Sequence, residues 1–84
     1  RLGALPSAAE LKDPKTRLQE YLQGHGHPLP RYAVLGVSGE PHEQRFVVSC
    51  TVAALGLAAE GEGGSRRKAE QEAAQRVLEA ALGG

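Results

Sequence analysis

Residues 61–82 read GEGGSRRKAEQEAAQRVLEAAL, and this stretch decides the fold. Ala69, Ala73, Val77 and Ala81 recur at the spacing of one helix face, with Leu78 and Leu82 beside them. Ser65 stands where an N-cap belongs, and the glycines before it release the backbone into the helix. Because the inner stripe opens with alanines, the helix is expected to lie close to its support. Its first turn carries Arg66, Arg67 and Lys68 in a row. Unpaired N–H groups already give a helix N-terminus about half a positive charge, so three more cations there call for an anion. Phosphate is the usual guest of such a site. A solvated basic turn, partly neutralised by Glu70 and Glu72, is the plainer alternative. The stretch is not a P-loop, since it lacks the Gly-Lys-Ser/Thr ending and no long apolar strand precedes it.

Working upstream, the period changes from helical to alternating. Residues 31–39 (RYAVLGVSG) and 45–53 (RFVVSCTVA) are rich in β-branched and aromatic residues and read as a hairpin. GEPHEQ, residues 39–44, is expected to form a loop of several residues between them. In the second strand Phe46, Val48, Cys50 and Val52 fall on a buried face, while Arg45, Val47, Ser49 and Thr51 fall on a wet one. A turn near Leu55–Gly56 leads to a short third strand over residues 57–62. Further upstream, residues 13–28 read DPKTRLQEYLQGHGHP. Asp13 is an N-cap, Pro14 fits the first helical position, and Leu18, Tyr21 and Leu22 share one face. Gly24, Gly26 and Pro28 stop this helix. The element order is α-β-β-β-α. The expected fold is α+β, with two helices packed on one face of a three-stranded antiparallel sheet.

The 84 residues make one small domain. Formal net charge is zero, so bulk charge names no partner, but its distribution is uneven. Residues 31–64 hold two arginines against four glutamates, whereas residues 65–68 are purely basic. Cys50 is the only cysteine, which excludes an intramolecular disulfide and points to a reducing, cytoplasmic setting. No apolar run approaches the ~20 residues of a membrane span, and no charged-then-apolar pattern of a signal peptide is read in these residues. The sequence has no methionine and is therefore expected to be a piece of a longer chain. Residues 1–12, with Gly3 and Pro6, read as an interdomain linker, and residues 13–84 as the domain.

Two further surfaces carry polar chemistry. Thr16, Gln19, Glu20 and Gln23 stand at helical spacing beside the apolar stripe of the first helix, and each offers hydrogen bonds suited to ribose hydroxyls and base edges. The plainer alternative is the wet side of an amphipathic helix. His42 lies at the tip of the hairpin, where a loop residue on a rigid support can probe a groove; a solvated histidine is its plainer reading. His25, His27, His42 and Cys50 match no common zinc spacing, and Cys50 points into the core, so no metal site is expected. No carboxylate cluster or activated nucleophile marks an active site.

Taken together, these surfaces resemble the double-stranded-RNA-binding domain. Its pattern is met by Pro30 and Tyr32, by Gly39 with His42 and Phe46, by Gly61 with Gly63 and Ser65, and by Arg66-Arg67-Lys68-Ala69. DPKTRLQEYLQ, HPLPRY and GSRRKAEQEAA resemble the C-terminal domain of the bacterial ribonuclease III family in particular. Many double-stranded-RNA-binding domains have a lysine where this chain has Glu70, so part of their phosphate grip is absent here. The resemblance implies that Ser65, Arg66, Arg67 and Lys68 face phosphates across a major groove. It also implies that Thr16, Gln19, Glu20 and Gln23 enter one minor groove and His42 the next. On this reading the chain docks double-stranded RNA by shape for a ribonuclease III that processes ribosomal and other structured RNA. The magnesium-dependent catalytic domain would lie before Arg1, and the parent would be a homodimer through that domain. The alternative is a stand-alone duplex-RNA-binding or protein-interaction module of the same fold.

Overall fold

A computed structural model describes residues 13–83; the expected linker lies outside the described residues. Helix α1 spans Pro14–Gly24, β1 Arg31–Glu40, β2 Glu43–Val52, β3 Leu57–Gly63 and α2 Arg66–Gly83. Asp13 Oδ1 accepts from the Thr16 N–H at 2.8 Å and Pro14 occupies the first turn, so α1 starts as its sequence requires. Gly26 ends it by adopting a left-handed conformation, φ 74°. The chain thereby folds back, and the His27 N–H donates to the Leu22 carbonyl at 2.8 Å.

The strands form one antiparallel sheet in the order β1-β2-β3. The hairpin turn differs from expectation. Glu40 pairs with Glu43, so only Pro41 and His42 lie between the strands. Gly39 explains this. Its φ of 96° is open to glycine and lets pairing run to the tip, and a Cβ there would strike the Glu43 carbonyl. A register shift between Val34 and Gly36 leaves Leu35 as an extra residue in β1, which bends that strand.

Across the sheet, Phe46 pairs with Gly63, Val48 with Gly61 and Cys50 with Ala59. Directly paired residues share a face, so the inner face of β3 is Gly63, Gly61 and Ala59. That row of absent or minimal side chains admits α2. A Cβ on Gly61 would collide with the Ala73 amide and the Ala69 carbonyl, and one on Gly63 would lie 2.7 Å from the Lys68 Cβ. These two glycines therefore belong to β3 and to helix packing rather than to a loop that frees the chain. Ala69, Ala73, Ala74, Val77 and Leu78 of α2 are buried. Leu18 and Leu22 of α1 join Cys50, Val52, Ala73, Ala74, Val77 and Leu78 in the core, so both helices cover the same face. Leu82, expected in the stripe, is instead exposed.

Helix α2 also closes the free edge of β3. The Glu62 N–H donates to Glu72 Oε1 at 2.7 Å, and Arg76 Nη1 donates to the Glu60 carbonyl at 2.7 Å. An edge strand is thus deprived of groups that would recruit another strand. At the opposite edge, Val34, Leu35 and Val37 of β1 are exposed.

Candidate nucleic-acid interface

The start of α2 is capped as its sequence indicates. Ser65 Oγ accepts from the Lys68 N–H at 3.1 Å, and the Ser65 carbonyl takes the Ala69 N–H at 3.0 Å. No acidic residue stands in this first turn, so any carboxylate that offsets Arg66, Arg67 and Lys68 beside the unpaired N–H groups comes from outside it.

The three cations are not equivalent. Arg66 Nε donates to Glu70 Oε2 at 3.0 Å, so its charge is shared before any ligand arrives. The Arg67 guanidinium is 3.9 Å from Asp13 Oδ2 and its side chain is 82% exposed, a loose contact of little worth. Lys68 is exposed and has no carboxylate partner among the described residues. Arg67 and Lys68 are thus the cations most open to an incoming anion.

Glu70 is buried, with 8% of its surface exposed. Burial alone would raise its carboxyl, but hydrogen bonds and charge from Lys15 and Arg66 outweigh that and hold it below its ordinary value. Lys15 Nζ donates to its Oε1 at 2.6 Å. The reading of Glu70 as a gap in a phosphate grip therefore omits its main contacts, which are inside the protein. Its neighbour Gln71 accepts the Lys15 N–H at 3.0 Å through Oε1, capping an α1 N–H from the other helix. The backbone hydrogen bond from Thr16, then the Thr16 side chain, lower the Asp13 carboxyl.

Between the helix starts lies a groove of about 420 Å³, with Asp13, Thr16 and Gln19 of α1 on one side and Arg67 and Gln71 of α2 on the other. It brings together Thr16, Gln19 and Arg67. Ser65, Arg66 and Lys68 adjoin it through α2, and Glu20 and Gln23 are exposed on α1. His42 is exposed in the hairpin turn, apart from both helices. Sequence reasoning missed Lys15, Gln71 and Asp13 as parts of this arrangement. The i, i+4 spacing of Arg66 and Glu70 was the one local signal available; Lys15 and Glu70 are 55 residues apart.

Among the described residues, no group of three or more His, Cys, Asp or Glu side chains could hold a metal ion, and no helix is long and apolar enough to cross a membrane. The groove and the turn beside it offer cations, neutral hydrogen-bonding groups and the carboxylates of Asp13 and Glu70. Residues 14–80 match the family described as "Double-stranded RNA binding motif". The chain is 62% identical over 78 residues to Ribonuclease 3 of Alkalilimnicola ehrlichii, covering 93% of this chain and 34% of that protein. It is 53% identical over 79 residues to Ribonuclease 3 of Vibrio cholerae, covering 94% and 35%. The chain thus spans about a third of the length of these relatives. In three dimensions it is similar to Arabidopsis HYL1, in a structure described with its implications for miRNA processing. The TM-score is 0.67 at 32% identity, covering 84% of this chain and 97% of that one.

Proposed function

The chain belongs to the double-stranded RNA binding motif family, and from that premise we propose that it is the C-terminal, duplex-docking domain of a ribonuclease III. It binds double-stranded RNA, and domains of this family span ~16 bp of A-form duplex, reading shape more than sequence. In this reading Arg67 and Lys68, with Arg66 in part and Ser65 as cap, meet backbone phosphates across a major groove. Thr16, Gln19, Glu20 and Gln23 lie in one adjoining minor groove and His42 in the other. The observation that carries the reading is the groove that sets Thr16 and Gln19 opposite Arg67. It puts groups fit for ribose hydroxyls and a cation fit for phosphate on facing walls.

The parent enzyme would hold its magnesium in a catalytic domain before Arg1 and dimerise through it. Its substrates would be ribosomal and other structured RNA, and its setting the cytoplasm. This chain's own task is to bind and orient the duplex. A gel shift with duplex RNA, duplex DNA and single-stranded RNA tests the reading. Duplex RNA should shift at the lowest protein concentration and stay uncut with or without magnesium. Equal affinity for all three would reduce the surface to nonspecific electrostatics. No shift at all would favour a protein-interaction module, for which the exposed Val34, Leu35 and Val37 of β1 would be the contact surface.

A further inference from the structure

Two cations from different helices converge on the buried carboxylate of Glu70. Lys15 Nζ donates to Oε1 at 2.6 Å and Arg66 Nε to Oε2 at 3.0 Å. Lys15 is fixed on its other sides as well. Its ammonium stands 4.8 Å from the centroid of the Tyr32 ring, a cation–π distance, and its backbone N–H donates to Gln71. Two adjacent side chains of α2 therefore fasten the first turn of α1.

Electrostatics alone disfavours this arrangement in a phosphate-binding surface. A carboxylate beside three cations repels phosphate and cancels part of their charge, and burying it costs desolvation. What it does supply is geometry. A duplex presents its phosphates and its minor groove at set separations, and a protein reads that shape only when its own contacts are held at matching ones. Glu70 is bonded at once to the helix carrying Thr16 and Gln19 and to the turn carrying the cations.

We propose that Glu70 is a positioning residue for duplex recognition: by holding Lys15 and Arg66 together it sets the spacing between the α1 polar stripe and the α2 cations, and so carries part of the preference for RNA over DNA. The proposal rests on the duplex-RNA reading above.

The test uses the 84-residue chain with matched RNA and DNA duplexes at one salt concentration, comparing Glu70→Gln, Lys15→Met and the double variant Lys15→Met with Glu70→Leu. Charge alone demands opposite responses: Glu70→Gln removes an anion and tightens binding, whereas Lys15→Met removes a cation and weakens it. Positioning demands the same response from both. Each should weaken RNA binding about tenfold, the scale of one charge-assisted hydrogen bond. The double variant should lose no more than either alone, and the RNA-to-DNA ratio should fall in all three. Replacing the pair by apolar side chains of similar volume keeps a fold, so the double variant carries the test if Glu70→Gln melts below the binding temperature. Tighter binding of both duplexes by Glu70→Gln, or wild-type affinity and ratio in the double variant, overturns the positioning role and leaves the functional reading intact. A wild-type chain that does not prefer duplex RNA overturns both.

Discussion

The backbone of Gly61 in β3 lies directly against that of Ala73 in α2, with no room for a Cβ between them. This close approach decides how deeply the helix bearing the cations settles on the sheet. Gly61→Ala should therefore destabilise the fold by about 1–3 kcal/mol, the usual cost of overpacking. Gly63→Ala should act alike, since its Cβ would sit 2.8 Å from the Ala69 nitrogen. At Gly64 nothing lies within 4 Å, so Gly64→Ala should stay within about 0.5 kcal/mol of wild type. Urea unfolding of the three variants measures this. A Gly61→Ala protein as stable as wild type would mean that helix and sheet stand farther apart.

Unequal partners make the three cations of the first turn of α2 separable by salt. A cation that neutralises one phosphate contributes about one unit, at most, to the slope of log K against log salt. Arg67→Ala and Lys68→Ala should each flatten the slope by nearly that much, because their charges are little engaged. Arg66→Ala should fall well short of it, because its guanidinium already bonds Glu70. Titrations at several salt concentrations give the slopes, and the largest change in Arg66→Ala would reverse this ranking.

Acid stability should report on the Lys15–Glu70–Arg66 bridge. Burial raises the Glu70 carboxyl, but hydrogen bonds from Lys15 and Arg66 prevail, so its folded value lies below the ordinary 4.5. A depressed carboxylate contributes stability that is fully present above its unfolded value and is lost as pH falls through the folded one. The melting temperature should accordingly decline as pH drops below about 4.5, with Asp13 adding to the slope through its bond from Thr16. Glu70→Gln cannot titrate and should show a shallower acid limb. An unchanged limb would mean that the bridge forms in the unfolded chain as well, or not at all.

How much of this was legible in the sequence depends on the range of the interaction. The order α-β-β-β-α, the Ser65 cap and the alternation of Phe46, Val48, Cys50 and Val52 are local periodicities, and each appears in the structure. The tight turn at Pro41–His42 was hidden by glycine and proline, which mark long loops and short turns alike; only the φ of Gly39 distinguishes them. Gly61 and Gly63 look like loop residues until the helix that needs them is placed. In the candidate site, the stripe on α1 and the cations on α2 were each readable along one helix. Their common groove was not, because Asp13–Arg67 and Lys15–Glu70 join distant segments and leave no repeat to detect.

The hairpin turn should matter according to duplex length. His42 is exposed at a tip only two residues long, so His42→Ala removes a side chain without disturbing the core. The expected loss is on the order of one hydrogen bond, ~1 kcal/mol, on duplexes long enough to present a second minor groove. On a duplex too short to reach that groove the variant should bind as wild type does. Equal losses on long and short duplexes would remove the turn from the groove.

Discrimination between RNA and DNA should divide between the helices. Phosphate is common to both polymers, so Arg67 and Lys68 cannot tell them apart by chemistry. The difference must be read from the 2′-hydroxyl and from the spacing of A-form grooves. Thr16, Gln19, Glu20 and Gln23 are all exposed along α1. A ribose hydroxyl donates and accepts, and so can pair with any of them. Thr16 and Gln19 share a groove with Arg67 and so sit beside the phosphate grip, and of the two Gln19 offers both amide donors and a carbonyl acceptor. Gln19→Ala with Glu20→Ala should therefore weaken RNA binding more than DNA binding and narrow the preference, whereas Arg67→Ala with Lys68→Ala should lower both in proportion. Competition between matched RNA and DNA duplexes at one salt concentration measures the ratio. If it is unchanged in the α1 variant, the stripe is only the solvated side of a helix, and the choice of RNA rests on groove spacing alone.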